Sequence, residues 1–180
     1  MTIRIDVQAN RAAPKWALRV QVARVLWAVA APVFRMVPRP LWGVRAWLLR
    51  VFGAKIGRGA HIYPTVRITM PWNLRIGEEA AVGDGAILYA LGRIEIGDRA
   101  VVSQLAHLCA GTHRLDDPAR ALVTAPITIG RDAWVCADAF VGPGVRIGEG
   151  AVLGARAVAM RDLADGWVGI GNPMRATRRL

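Results

Sequence analysis

The chain has 180 residues, of which 54% are apolar, with 19 Gly and 10 Pro. That length holds one domain with a substantial core, and the composition excludes both a disordered chain and an all-helical one. The net charge is +11, yet residues 1–55 carry ten Lys/Arg against one acid, Asp6, while the other 125 carry fourteen Arg against twelve acids. The excess charge therefore belongs to an N-terminal segment. The main domain is nearly neutral and shows no nucleic-acid motif, so no nucleic-acid partner is expected.

Along the first segment, apolar residues at 18, 22, 25, 29, 33 and 36 follow helical spacing. The apolar run Val25–Phe34 is only ten residues long and lies between Arg24 and Arg35, short of the roughly 20 that a spanning helix needs. No secretory signal is read here, and Pro32 is expected to kink or end the helix. Pro38 and Pro40 separate it from a second predicted helix, Leu41 to Phe52. Four of the seven tryptophans (Trp16, Trp27, Trp42, Trp47) fall in this segment. Arg mixed with Trp and aliphatics is the composition of a helix lying on anionic lipid. Residues 1–55 are thus read as a basic helical cap over the open end of the next domain, with the choice between capping alone and added peripheral contact to the inner face of the membrane left open. A cap would also cover a backbone edge that otherwise templates aggregation.

From Ile56 the aliphatic residues recur every six positions, often followed by Gly: Ile56, Ile62, Ile68; then Ile76, Val82, Leu88, Ile94; then Ile96, Val102, Leu108; then Ile129, Val135, Val141, Ile147, Leu153 and Ala159. Neither a helical period of 3.6 nor a strand period of two gives that spacing. Hexapeptide periodicity predicts an all-β fold, a parallel β-helix in which three hexads close one triangular coil and coils stack about 4.8 Å apart. Five coils are counted over residues 56–164, at 56–73, 76–93, 96–113, 129–146 and 147–164. Gly after the aliphatic residue suits a corner where a side chain would obstruct the turn. Two-residue inserts fall near Pro71-Trp72 and Gly92-Arg93, and a large extruded loop at 114–128 contains Asp116, Asp117, Pro118 and Pro126. Residues 165–180 leave the repeat as a turn and a basic tail.

Cys109 and Cys136 form no CxxC and no pairing pattern, which suggests reduced thiols and a cytoplasmic protein. No zinc-site spacing joins them to a histidine, and no metal is expected. The histidines are His61, His107 and His113, each in the sixth position of a hexad. His61 and His107 read as corner residues, exposed or satisfied locally. His113 stands where the repeat breaks, at the mouth of the loop.

The repeated [I/V/L]-G-x4 unit, the His at an extruded loop and the terminal "GNP" followed by Arg resemble the hexapeptide-repeat, left-handed β-helix acyltransferases. "LLRVFGAKIG", "ITMPWNLRIG", "LYALGRIEIG" and "SQLAHLCAGTH" look most like the colanic acid biosynthesis acetyltransferases, which decorate exopolysaccharide sugars. The resemblance spans residues 45–175. It implies a homotrimer with acetyl-CoA lying between adjacent β-helices as co-substrate, O-acetylation of a sugar hydroxyl, and His113 as general base. It further implies Trp134 near the acetyl end and the Ala137 N–H as oxyanion donor. By the same resemblance Ala155 lies beside the pantetheine arm. Arg161 stands by a CoA phosphate, and Pro173, Arg175 and Arg178 form the nucleotide end. Asp84 would touch the acceptor. Where this family often has Ser-His-Asp, the chain reads Thr112-His113-Arg114, so the group orienting His113 is left open between Asp116, Asp117 and a backbone carbonyl. A γ-type carbonic anhydrase, whose zinc sits between three histidines on the same fold, and a non-catalytic scaffold are the competing expectations.

Overall fold

A computed structural model describes residues 4–13 and 15–180. Among these residues a parallel β-helix follows three helices: α1 (Val7–Ala12), α2 (Leu18–Met36) and α3 (Trp42–Val51). The prism has three faces. The first stacks Lys55–Ile56, Leu74–Ile76, Ile94–Ile96, Ile127–Ile129 and Arg146–Ile147. The second stacks His61–Ile62, Ala81–Val82, Val101–Val102, Trp134–Val135, Val152–Leu153 and Trp167–Ile170. The third stacks Arg67–Ile68, Ile87–Tyr89, His107–Cys109, Phe140–Val141 and Val158–Ala159. All neighbouring rungs in the three stacks are parallel.

Nearly all the aliphatic residues of the six-residue beat point inward and are buried, Ile68 being only partly so. Each hexad also buries a second residue two positions earlier, usually alanine: Ala60, Ala80, Ala86, Ala100, Ala106, Ala133, Ala139, Ala151 and Ala157. On the second and third faces the interior thus alternates large and small side chains, which suits a narrow prism. The glycines after the first-face strands stack in a column, Gly57, Gly77, Gly97, Gly130 and Gly148. A Cβ added to any of them would meet the backbone of the next coil at 2.4–2.6 Å. Close approach, and not an unusual φ, demands glycine there.

The coil count is six, not five. Leu163 bridges to Ile147, and Val168 and Gly169 pair in parallel with Val152 and Leu153. The hexad beat is lost there because Gly169 stands in the inward position where the repeat calls for an aliphatic. Met174 and Leu163 fill the space above it, their side chains lying against Gly169. Arg175–Arg179 then folds back antiparallel on Trp167–Ile170.

α2 continues through Pro32 to Met36, so Pro32 does not end the helix. Trp27 and Phe34 are its buried residues, and the Trp27 indole N–H donates to the Ile68 carbonyl at 2.8 Å. α3 lies on the first coil, burying Ala46 and Leu49. Its Arg45 is fully buried, and among the described residues no carboxylate pairs with it. The guanidinium donates instead to the carbonyls of Ile62 (2.8 Å), Val37 (3.0 Å), Pro38 (2.8 Å) and Arg39 (2.7 Å), and stands 4.7 Å from the Trp42 ring centre. One side chain therefore ties the α2–α3 connection to the first rung.

Candidate active site

The three insertions into the 18-residue coil occur at the corner between the third and first faces, where the turn from Ala159 to Leu163 is in contrast two residues short. The first is a short 3-10 turn, Pro71–Asn73. The second is the Leu91–Arg93 stretch. The third is a β-hairpin in which Gly111–His113 pairs antiparallel with Leu122–Thr124. The excursion therefore begins three residues before the predicted loop, and Thr128 is already back in the first face. The inserts support one another. The Asn73 amide donates to the Ala90 and Leu91 carbonyls at 2.8 and 3.0 Å, and the Gly92 N–H donates to Ala110. Leu91 in turn packs against Gly111, where an added Cβ would meet it at 2.9 Å. The two small inserts form a ledge under the hairpin.

His113 sits on that hairpin, opposite Leu122, with its side chain exposed. Its Nδ1 lies 2.5 Å from the Arg120 carbonyl oxygen. A carbonyl only accepts, so Nδ1 carries the proton and the Nε2 lone pair is available to a substrate. The orienting group is thus a backbone carbonyl, not a carboxylate. Asp116 is committed to Arg114, with a closest approach of 3.2 Å, and that contact holds its carboxyl below the usual range. Asp117 accepts from the Ala119 and Ala121 N–H groups at 3.0 Å each, which brackets Arg120, and these bonds depress its pKa. Arg120 itself has φ +49° and ties back through its side chain to the Leu115 carbonyl at 2.7 Å.

The other predicted residues fall into separate groups. Asp84, Ala137 and Ala155 stack with Gln104 at the corner between the second and third faces, joined by the bonds Leu105 N–H to Asp84, Asp138 N–H to Gln104 and Arg156 N–H to Ala137. Among the described residues no backbone acceptor takes the Ala137 N–H, although its neighbours Cys136 and Asp138 are both paired. Asp84 accepts from the Thr65 hydroxyl at 2.8 Å. Trp134 is 49% exposed on the second face, its indole N–H donating to Ser103 Oγ at 2.8 Å. Arg161 donates to the Met174 carbonyl and shares a cleft of about 450 Å³ with Pro173 and Arg175. Arg178 is opposite Val168 on the outer strand of the second face.

His113 and Arg161 thus share the third–first corner, two coils apart. In a triangular prism that corner is opposite the second face, so one chain does not bring His113 beside Trp134. The sequence did not single out Arg120 or the stacking of the two inserts, and it weighed Asp117 against the imidazole, whereas Asp117 accepts from the Ala119 and Ala121 N–H groups. The "DDPAR" stretch signals a turn there, but nothing in it signals which carbonyl faces the imidazole.

His61 and His107 lie elsewhere. His61 stacks on Trp42 with 4.5 Å between ring centres. His107 departs from expectation: it is half-buried between Tyr89 and Phe140, its Nε2 is buried without a hydrogen-bond partner, and burial lowers its pKa. The three histidines occupy the second face, the third face and the hairpin. Among the described residues no cluster of three or more His, Cys, Asp or Glu is placed to hold a metal ion.

Residues 126–158 match the bacterial transferase hexapeptide (six repeats) family. The chain is 45% identical over 157 residues, 87% of its length and 85% of the relative's, to WcaF of Escherichia coli K12, provisionally named a colanic acid biosynthesis acetyltransferase. It is 26% identical to the galactoside O-acetyltransferase of the same organism, over 76% of this chain and 68% of that one. Among solved structures, the hexapeptide-repeat acetyltransferase VCA0836 of Vibrio cholerae, complexed with acetyl-CoA, superposes with a TM-score of 0.86 at 20% identity, covering 93% of this chain and 92% of that one. A galactoside acetyltransferase in complex with coenzyme A superposes with a TM-score of 0.85 at 22% identity, covering 96% and 88%. These likenesses give no support to the zinc-enzyme or scaffold expectations. With its hexad frame, its stacked coils and this kinship, the chain belongs to the hexapeptide-repeat acetyltransferases.

Proposed function

We propose that the protein moves acetyl from acetyl-CoA to a sugar hydroxyl of an exopolysaccharide repeat unit or its lipid-linked precursor. The observation that carries this reading is His113, fixed through Nδ1 by the Arg120 carbonyl and exposed at the edge of the prism. The colanic-acid relative supports the acceptor class. His113 Nε2 takes the proton of the acceptor hydroxyl as that oxygen attacks the thioester carbon. The oxyanion then takes a hydrogen bond from the Ala137 N–H. The C–S bond breaks, the new ester forms, and the imidazolium returns its proton to the departing thiolate.

Because His113 and the Trp134–Ala137–Ala155 surface lie on opposite sides of one prism, the site is completed between copies. The hairpin of one chain meets the second face of its neighbour, and a homotrimer closes three such sites. Arg161, Pro173, Arg175 and Arg178 serve the phosphates and nucleotide of acetyl-CoA. The small Ala155 leaves room for the pantetheine arm, and Asp84 faces the acceptor.

The N-terminal helices supply contact with an anionic membrane surface. Among the described residues no helix is long and apolar enough to cross a membrane. However, Leu18, Val22, Val25, Val29, Val33 and Met36 of α2 are 51–80% exposed. At 100° per residue they form one stripe opposite Trp27 and Phe34, with Arg19 on one flank and Arg24 and Arg35 on the other. Flotation with phosphatidylglycerol vesicles checks this: Val29→Asp should release the protein, and unchanged flotation sinks the membrane contact. Self-association that buries the stripe in solution, without flotation, would sink it too.

The catalytic reading is tested by an acceptor screen that follows thiol release from acetyl-CoA, repeated with His113→Ala. A general base contributes about 10²–10⁴-fold. Loss of that size is expected, and near-wild-type turnover in the variant would remove His113 from the mechanism.

A further inference from the structure

The six-residue helix α1 buries no residue, and a helix this short is not stable by itself in water. Its tertiary hydrogen bonds converge on one place. The Asp6 N–H donates to the Pro118 carbonyl at 2.9 Å, and the Asn10 amide donates to the carbonyls of Ala119 at 2.6 Å and Arg120 at 3.1 Å. Arg120 O is the same oxygen that receives His113 Nδ1. A carbonyl has two lone pairs, so both donors are accommodated. The Asn10 amide cannot be reversed there, because its oxygen is engaged by the Lys15 ammonium at 3.1 Å and its NH2 faces the two carbonyls. From inside the hairpin Asp117 fixes the flanking N–H groups; from outside Asn10 fixes the carbonyls.

We infer that Asn10 is a positioning residue for His113: the N-terminal helix is a latch that aims the Arg120 carbonyl and thereby holds the imidazole in its Nδ1–H tautomer. The inference rests on His113 being the base, but its test does not. Without the Asn10 donors the Arg120–Ala121 peptide is held only through Asp117, so the carbonyl turns toward water for part of the time and the ring then loses the acceptor that keeps its proton on Nδ1. Nε2 then carries the proton for part of the time and cannot act as base.

The measurement is the tautomer of each histidine ring, by two-bond ¹⁵N–¹H correlation on ¹⁵N-histidine-labelled full-length protein at a pH where the rings are neutral. Three histidines make assignment by single His→Gln variants straightforward. In the wild type, His113 should show Nδ1 at an N–H position. Asn10→Asp is isosteric, removes both donors and sets a carboxylate against two carbonyls. It should shift the Nδ1 resonance toward the lone-pair position, with Asn10→Ala giving a smaller shift in the same direction. His61, stacked on Trp42 away from the hairpin, should not move. An unchanged His113 tautomer in both Asn10 variants overturns the latch, as does a wild-type ring protonated on Nε2. Loss of the tautomer together with full turnover in His113→Ala would instead leave the latch standing and remove the base assignment. Thermal melting of each variant separates a local release from unfolding, since α1 buries nothing and its loss should leave the melting temperature within about 1–2 °C, the range of an unfeatured surface change.

Discussion

Replacing Arg45 by Met keeps the bulk of the buried side chain and removes every donor it offers to the four carbonyls of Ile62, Val37, Pro38 and Arg39. Unlike the partners of a buried ion pair, these acceptors are backbone and are not removed by the substitution. A buried acceptor left unpaired costs about 1–3 kcal/mol. The Ile62 bond is buried, so about 2 kcal/mol is assigned to it. The other three are partly wet and are assigned about 0.5–1 kcal/mol each, because water reaches them in the variant. Set against this is relief from holding a guanidinium out of water, a strain visible in its lowered pKa and taken as about 1–2 kcal/mol. The net loss is about 1.5–4 kcal/mol, which for a chain of this length lowers the melting temperature by about 3–16 °C. The assay is thermal melting by circular dichroism, with hydrogen exchange over residues 37–39 and 62–63. In a stacked-coil protein the cap opens before the prism, so exchange should quicken there first. Arg45→Lys, with a single ammonium in place of the fork, should recover only part of the loss. A melting temperature within about 1 °C of wild type, with unchanged exchange at the cap, would refute the reasoning.

Four other outcomes are expected. Gly97→Ala places a Cβ 2.6 Å from Arg131 N and 2.8 Å from the Gly130 carbonyl carbon. Such overpacking should cost about 1–3 kcal/mol, read as a lower urea midpoint. Gly43→Ala in α3 meets nothing within 4 Å and should raise the midpoint, by up to about 0.5–1 kcal/mol from helix propensity. His107 is held neutral by burial, so the unfolded chain binds its proton first. Stability is then fully present above the ordinary histidine pKa of about 6.5 and declines as pH falls through it. Melting temperatures across that range should lose part of this acid-side slope in His107→Phe, and an unchanged slope would acquit His107. Cys136, whose thiol is pushed up by burial, should react with iodoacetamide more slowly than free cysteine at pH 8, as timed mass spectrometry would show.

The fold was legible because a period of six is compatible with one architecture, and Ile129 through Ala159 hold it without a slip. The second inward position was harder to see, since alanine is common on any surface and only its phase two residues ahead of the aliphatic marks it. The end of the prism was obscured for the opposite reason. At Gly169 the expected aliphatic is replaced by space for Met174, which arrives from outside the hexad frame. His113 stood out from the break in the beat, and the role proposed for it comes from the family resemblance. What orients it was not legible, because a carbonyl has no side chain to read: its side-chain donor Asn10 is 110 residues away, and Asp117, three residues away, acts only by accepting from the N–H groups on either side. The six apolar residues of α2 give a helix by spacing alone, yet spacing does not tell a face that packs from a face left bare.

The glycine column has one more consequence. Successive coils touch most closely at the first–second corner, where a single methyl is too much. Every length change in the chain falls instead at the third–first corner, where turns of different size stack without disturbing the rungs. One edge of the prism works as a fixed spine and another as an open shelf. A chain with this frame can therefore lengthen, shorten or exchange the segments around His113 while leaving the rungs in register.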